Sequence, residues 1–521
     1  MGSHDETIHR LRDVGKVAVI GAGLGGISSA AHLLRSGLSI TVFERMGFAG
    51  GVWHFDSRAA PDPTYPNVLP LGQEAKIEKK SNENALQLPD MDFDRVSLIH
   101  APPGPCYEGL RNNVPTPLMR STLLDWPENT PDYVGYESVE EYINTLAIRT
   151  GVLDQILFHT AVENVSKQAA PSSIWNIRTR TLKHSSNKSY QFVEREWEFD
   201  AIVVASGHYH VPRIPDIIGL KDWKDRLPQN VTHSKAYRSA KSLLGKSVFI
   251  LGGGVSSLDI AKESAKVANV VYQSVRDGKY DIPASMYPPD VKRVGGIERV
   301  ELPKESTQGR IFLQSGQILS SVDVIILCTG YITSYPFLGS LQDPYMSVDE
   351  ADSRVIITSD GCMTHNLHKD IFYIPDPSLA FVGVPYHASA FSLFDFQAEV
   401  VARVFAGTAA LPSKSLMRVE YDARKAKLKG NRGSEFHSVM GRDKQYMNDI
   451  LELVNADAAR WDYKPMRGVD DKWHRKYDEF LEEVQKRLWP NIRDERVPET
   501  SQTKDGQARE IQAAAVPNAV V

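Results

Sequence analysis

The sequence predicts an α/β fold of two Rossmann-like dinucleotide-binding domains, the second inserted into the first. Three observations predict it. An apolar strand runs into a glycine turn and then a helix in "VAVIGAGLGGISSA", residues 17–30. The same grammar returns in "VFILGGGVSSLDIA", residues 248–261. Two buried-type strands ending in Ser-Gly or Thr-Gly, "FDAIVVASGHYHVPRIPDI" (199–217) and "VDVIILCTGYITSYPFL" (322–338), bracket that second passage. The chain therefore leaves one domain, builds another and returns. The expected boundaries are 1–211 for the first part of the host, 212–330 for the insert and 331–493 for the rest of the host with C-terminal helices. Residues 494–521, polar and low in apolar content, read as a disordered tail.

In the first cradle Gly21, Gly23 and Gly26 keep G-x-G-x-x-G spacing, with Gly25 between them. Glycines let the backbone approach a pyrophosphate, and the following helix offers N–H donors and a favourable dipole. The next strand, "SITVFER", ends at Glu44 and Arg45. An acid at that place accepts from an adenosine ribose.

The second cradle differs where a different ligand requires it. Gly252, Gly254 and Ser257 keep the spacing with a small third residue, and Val255 and Ser256 open the helix. Its second strand, "VVYQSVR", carries no acid and ends in Ser274 and Arg276. A guanidinium holds a 2′-phosphate that a carboxylate would repel, so NADP is favoured over NAD. The alternative is a solvated surface arginine beside Asp277.

Composition narrows the field further. A net charge of −5 over 521 residues gives no sign of nucleic-acid binding or of a polybasic membrane patch. Cys106, Cys328 and Cys362 are far apart and form no CxxC pair, which argues against a dithiol centre and for a reducing compartment. The start, "MGSHDETIHRLRDVGK", is polar and is no secretory signal. No apolar run approaches the ~20 residues of a membrane span. A soluble, cytoplasmic chain without a metal site is expected, and homodimerisation is left open.

Several further motifs stand in a recognisable order: "GGVW" at 50–53, "YEGLRNNVPTPLM" at 107–119, "HSKAYR" at 233–238, "CTGY…PFL" at 328–338 and "LAFVGVPYHASAFSLFDFQAEVVARVFAG" at 379–407. Together they make the chain resemble the class B flavoprotein monooxygenases, in the branch that oxygenates nitrogen and sulfur. The resemblance runs from about residue 16 to about 412. It implies FAD in the host domain and NADPH in the insert. NADPH would pass a hydride to the flavin, and the reduced flavin would add dioxygen to form a C4a-hydroperoxyflavin. A small organic nucleophile, such as a secondary metabolite, would then take the distal oxygen.

The resemblance also assigns roles. Asn113 aligns with an asparagine near the reacting flavin atom, and Asn112 stands where a threonine is usual. Gly51, Val52 and Trp53 would border the flavin, and Val162 and Gln397 would contact the cofactor. Tyr237, Thr329 and Gly330 would lie along the nucleotides, with His387, Phe391 and Phe394 on the substrate side. For Asn113 the alternative is a turn residue beside Pro115; for the aromatics it is ordinary core packing.

The chain departs from the family at the fingerprint "LPQNVTHSKAY", where Leu227 and Gln229 replace Phe and Gly. Loss of that glycine removes a position tolerant of positive φ, so a different linker path is expected. His233, which survives, reads as structural and not as a general base. The final Tyr237 favours N- or S-oxygenation over Baeyer–Villiger oxidation of a ketone, which remains the rival. A nucleotide-binding scaffold without chemistry is the second rival. The segment 57–105 is longer than the family's usual link and reads as a lid, a partner surface or a partly disordered insert. After Pro412, "KWHRKYDEFLEEVQKRLW" reads as an amphipathic helix against the body.

Overall fold

The computed structural model describes residues 8–11, 13–70, 93–168, 173–184, 190–276, 278, 281–428, 433–456, 458–459 and 462–488. The expected tail 494–521, the middle of the 57–105 insert (71–92) and Asp277 lie outside these residues. The framing strands are, in chain order, β1 (Lys16–Ile20), β2 (Ser39–Phe43), β3 (Ile156–Leu157), β4 (Ala201–Val204), β5 (Val231–His233), β6 (Ser247–Leu251), β7 (Val270–Ser274), β8 (Val291–Val294), β9 (Val324–Leu327) and β10 (Leu379–Phe381). The helices that matter for the site are α1 (Leu24–Arg35), α2 (Tyr136–Arg149), α3 (Val255–Ser264), α4 (Ala390–Phe405), α5 (Lys414–Lys425), α6 (Asp443–Asn455) and α7 (Asp471–Leu488).

In the host sheet β10, β4, β1, β2 and β3 run parallel in that order, and the short strands Phe372–Tyr373 and Leu367–His368 extend the β10 edge antiparallel. These strands are apolar along their length because both faces are covered, as parallel sheets require. Val17, Val19, Ile202 and Val203 are fully buried. The insert has its own parallel sheet, ordered β5, β9, β6, β7, β8. A two-residue antiparallel ladder joins the domains, pairing Tyr331 with Pro212 and Ile332 with Val211. The threaded arrangement expected from the Ser-Gly and Thr-Gly strands is thus seen in the topology.

Small residues let α1 ("LGGISSAAHLLR") pack close to the sheet and to α4, whose apolar face joins the same core. One buried polar cluster sits in that contact. The Asp395 carboxylate on α4 meets His32 Nε2 on α1 at 3.2 Å and accepts from Ser121 Oγ at 2.6 Å and Thr122 N at 2.7 Å. Burial alone would push His32 down, but the charge and hydrogen bond of Asp395 raise it above its ordinary 6.5. Burial likewise pushes Asp395 up, and His32 with the Ser121 and Thr122 donors holds it below its ordinary 3.8. Among the described residues no helix is long and apolar enough to cross a membrane.

The sign of the pH dependence follows from these directions. The His32 contribution is complete below pH 6.5 and is lost as pH rises through the raised folded value. The Asp395 contribution is complete above pH 3.8 and is lost as pH falls through the lowered folded value. Melting temperatures from pH 5 to 9 should therefore fall for the parent, relative to His32→Gln, from about pH 6.5 upward. Parallel curves would remove His32 from the account.

Candidate active site

At the first cradle Gly21 turns the chain with φ of 104°, and a Cβ there would stand 2.7 Å from the Ala205 carbonyl oxygen. A Cβ on Gly26 would stand 1.8 Å from the Gly21 oxygen, so neither position admits a side chain. Gly23 caps α1 without a side-chain hydrogen bond, and the first turn holds no acid. The orphan N–H groups of that turn are left for a ligand anion. Gly25 faces Val382, and Gly51 lies so close to Gly23 that a Cβ would meet its Cα at 2.9 Å. The "GGVW" turn, with Val52 half-buried in it, is thereby folded onto the cradle.

Glu44 is buried at the end of β2 and accepts from Ala22 N at 2.7 Å and Met46 N at 2.8 Å. Burial raises its pKa, opposed by those backbone donors. One Glu44 oxygen thereby holds the glycine turn and the other holds the chain just after β2. Arg45 bonds His210 Nδ1 at 2.9 Å. Thr160 N donates to the Glu44 carbonyl at 2.8 Å, which brings the half-buried Val162, two residues along the same strand, to this end of the cradle.

At the second cradle a Cβ on Gly252 would stand 2.2 Å from the Cys328 oxygen, whereas Gly254 faces open space. Gly254 caps α3, again with no side-chain bond and no acid in the first turn. Ser256 is exposed at that N-terminus and Val255 half-exposed. Two sequence expectations change here. Ser257 is buried with its hydroxyl 2.8 Å from Tyr287 OH, and Ser274 is buried with its hydroxyl donating to the Gly295 oxygen at 2.8 Å. Both hydroxyls are spent inside the protein, so the small side chains serve packing. Arg276 is exposed just past β7, as a 2′-phosphate ligand requires.

The linker is held by hydrogen bonds around His233. Its Nε2 donates to the Gly330 oxygen at 3.0 Å, and its Nδ1 accepts from Lys235 N at 3.0 Å. Burial lowers its pKa to about 3, so it is a fixed neutral tautomer and a poor base. Thr329 Oγ1 donates to the Arg213 oxygen at 2.5 Å, and Gly330 has φ of 77°, so both shape the return crossing. Gln229 does not lie in the left-handed region, so its position makes no demand for glycine. Lys224 instead pins that turn, its ammonium donating to Pro228 O at 2.6 Å and Val231 O at 2.9 Å.

Against α3 of the second cradle lies a cavity of about 460 Å³. One wall is the loop 107–113, one is α3 and one is α7. Asn112 is buried and fully engaged. Its Nδ2 donates to Val114 O at 2.7 Å and Asp132 O at 2.8 Å, and its Oδ1 accepts from Val134 N at 2.5 Å. It clamps the loop that leaves Asn113 exposed on the cavity wall. Tyr107, at the loop's start, donates to Asp259 on α3 at 2.6 Å. Tyr237 donates to Glu263, one turn further, at 2.5 Å. The two tyrosine rings meet edge to face at 5.7 Å.

The expected substrate-side residues do not line this cavity. Phe391 is 1% exposed and packs edge-on to Trp53 at 6.4 Å and near Tyr142 at 6.1 Å. Phe394 covers Gly383, and His387 Nδ1 lies 3.1 Å from Ser438 Oγ. Helical periodicity turned the phenylalanines toward the core. The apolar lining comes from Leu258, Ile282, Met286, Phe480 and Val484. Gln397 is buried, accepting from Gly383 N at 3.0 Å and donating to Tyr446 OH at 2.6 Å, so it braces the flavin-facing segment. Sequence reasoning missed the two tyrosine–carboxylate bonds and the α7 wall. The acids at 259 and 263, four apart on one helix face, were the available signal.

Two uncapped helix N-termini, each behind a glycine turn that excludes side chains, define a protein built for two dinucleotides. Comparison with known proteins specifies which kind. A flavin-binding monooxygenase-like family model matches residues 106–292 and 289–461, and an NAD(P)-binding Rossmann-like one matches 19–74. The chain is 38% identical over 487 residues to the flavin-containing monooxygenase ustF2 of Aspergillus flavus, covering 88% of this chain and 95% of that one. It is 27% identical to the flavin-containing monooxygenase iboF of Amanita muscaria, covering 85% and 88%. Among solved structures it superposes on Tmm from a Pelagibacter strain with a TM-score of 0.66 at 20% identity, covering 91% of each chain. The S-allyl-L-cysteine S-oxygenase of Allium sativum gives 0.64 at 23%, covering 92% and 94%. The chain belongs to the flavin-binding monooxygenase-like family, and is a flavin-dependent monooxygenase that uses FAD and NADPH.

The tyrosine–carboxylate pair gives a test of this geometry. Tyr107→Phe should destabilise the protein by about 1–3 kcal/mol by leaving the Asp259 carboxylate without its donor. Hydrogen exchange should rise in 107–113 and 255–264 together. A rise confined to one segment would mean that the bond does not couple the domains.

Proposed function

We propose that the enzyme oxygenates a nitrogen or sulfur centre of a small organic molecule, with Asn113 holding the reacting oxygen. The overall balance takes NADPH, a proton, dioxygen and the nucleophile to NADP⁺, water and the N- or S-oxide. FAD, when bound, supplies the ring at which NADPH delivers its hydride and dioxygen is activated. The first cradle's glycines and Glu44 hold it. Those of the second hold NADPH, with Arg276 on the 2′-phosphate.

The observation that carries this reading is the exposed amide of Asn113 on a rigid loop between the two cradles. An amide donates and accepts at once, which suits an oxygen that passes from one partner to another. Three of the described histidines are poor bases. Burial lowers His233 to about 3 and His208 and His387 to about 4. Transfer of an electrophilic oxygen to a lone pair needs no base.

The test supplies FAD-loaded enzyme with NADPH and air against methyl phenyl sulfide, N,N-dimethylaniline and cyclohexanone. Sulfoxide or N-oxide in step with NADPH consumption is expected. Lactone alone, or peroxide with no product, overturns the reading. Asn113→Ala should lower product formation by about a hundredfold, the scale of losing one preorganised donor.

A further inference from the structure

The helix α7 forms one wall of the central cavity through Phe480, Glu483 and Val484, yet it begins at Asp471, beyond the family match that ends at 461. Its position is fixed by contacts in its first two turns. Trp473 Nε1 donates to Ser392 Oγ on α4 at 3.1 Å, and Tyr477 OH donates to Asp443 on α6 at 2.7 Å. Lys476 pairs with Asp132 at 2.6 Å, beside the loop that Asn112 clamps. Phe480 and Val484, one turn apart, follow on the same face and reach the cavity. The opposite wall is Asn113 and the face of α3 that carries Val255 and Leu258 with Asp259, Lys262 and Glu263. At about 460 Å³ the space is of the size that holds a small organic ligand, roughly 300–1,000 Å³.

We propose that this cavity is the substrate chamber and that Phe480 and Val484 are its specificity-determining wall, receiving the apolar body of the nucleophile whose nitrogen or sulfur faces Asn113. The inference rests on the oxygenation reading above for the orientation of the substrate, but not for its binding. A floor fixed by buried hydrogen bonds is preorganised, so bulk added to it subtracts directly from the space available. The helix α7 lies beyond the stretch that the family model matches.

The experiment measures binding of methyl phenyl sulfide to the FAD-loaded, oxidised full-length protein by calorimetry, without NADPH. Val484→Trp should weaken binding by about tenfold or more, by filling the space of a ring. Val484→Ala, which carries no risk of overpacking, should shift preference toward the bulkier methyl naphthyl sulfide. Gln485→Trp, on the exposed side of the same helix, should bind as the parent does. Unchanged binding in both Val484 variants, or no binding by the parent, overturns the chamber. If the variants shift binding but no sulfoxide forms once NADPH and air are added, the chamber stands and the oxygenation reading falls. If sulfoxide forms and the variants bind as the parent does, the reverse holds.

Discussion

The angle between the two domains is the constraint on which the site depends, since two cradles exchange nothing unless their open ends face one another. The strand pairing at the crossing is slight: two residue pairs of antiparallel ladder, Tyr331 with Pro212 and Ile332 with Val211. Such a ladder is a hinge and not a brace. The brace is on α3, where Asp259 accepts the hydroxyl of Tyr107 from the host domain, while Glu263 accepts that of Tyr237 within the insert. Burial raises Asp259, and a buried carboxylate is costly without a donor. Burial, and then the facing carboxylates, keep both tyrosines well above their ordinary range, so they donate throughout the physiological span. Rotation of the insert would strand the Asp259 carboxylate.

The same bonds place the candidate catalytic amide. Tyr107 opens the loop that ends at Asn113, so the helix behind the second glycine turn also fixes, through its flank, the residue proposed to meet the flavin. Asn112 explains why a threonine is not required at its position. Three hydrogen bonds from its amide do more to fix the loop than one hydroxyl could. The fingerprint tolerates its two substitutions for a related reason. The turn at 228–231 is held by the Lys224 ammonium, and Gln229 adopts a conformation open to any residue.

Legibility in the sequence tracked the range of the interaction. Both cradles were readable because glycine spacing, helix start and strand end are local, and Gly21, Gly26 and Gly252 are at van der Waals limits that only glycine meets. Residues whose roles turn on where a side chain points were not readable. Ser257 and Ser274 sit at the expected places with hydroxyls turned inward, and Phe391 faces the core because α4 is buried nearly all round. The Tyr107–Asp259 bond spans 152 residues, a separation that no periodicity reports. The α7 helix was legible as amphipathic, but its partner was not.

The C-terminal third has a physical reason to exist beyond covering the core. The helix α4 carries Asp395 and Gln397, both buried and both engaged, but it begins without a cap of its own. Asp443 of α6 supplies one, accepting from Ser389 N at 2.6 Å, which places a carboxylate at the positive end of the helix dipole. Tyr477 of α7 holds the other carboxylate oxygen at 2.7 Å. Beside it, His437 Nδ1 meets Asp370 at 2.9 Å while its Nε2 accepts from Thr364 N at 2.9 Å, which fixes the ring next to Tyr386. Arg424 of α5 closes the set with a two-pronged contact to Asp370 at 2.9 Å on each oxygen. Charges this deep are tolerated because every one is hydrogen-bonded, and removing any partner leaves another exposed to desolvation. The segment 384–389 is therefore strapped from outside by α6 and by His437. The helix α7 does both: Trp473 and Tyr477 strap it to α4 and α6, and within two turns past Tyr477 its Phe480 and Val484 reach the cavity.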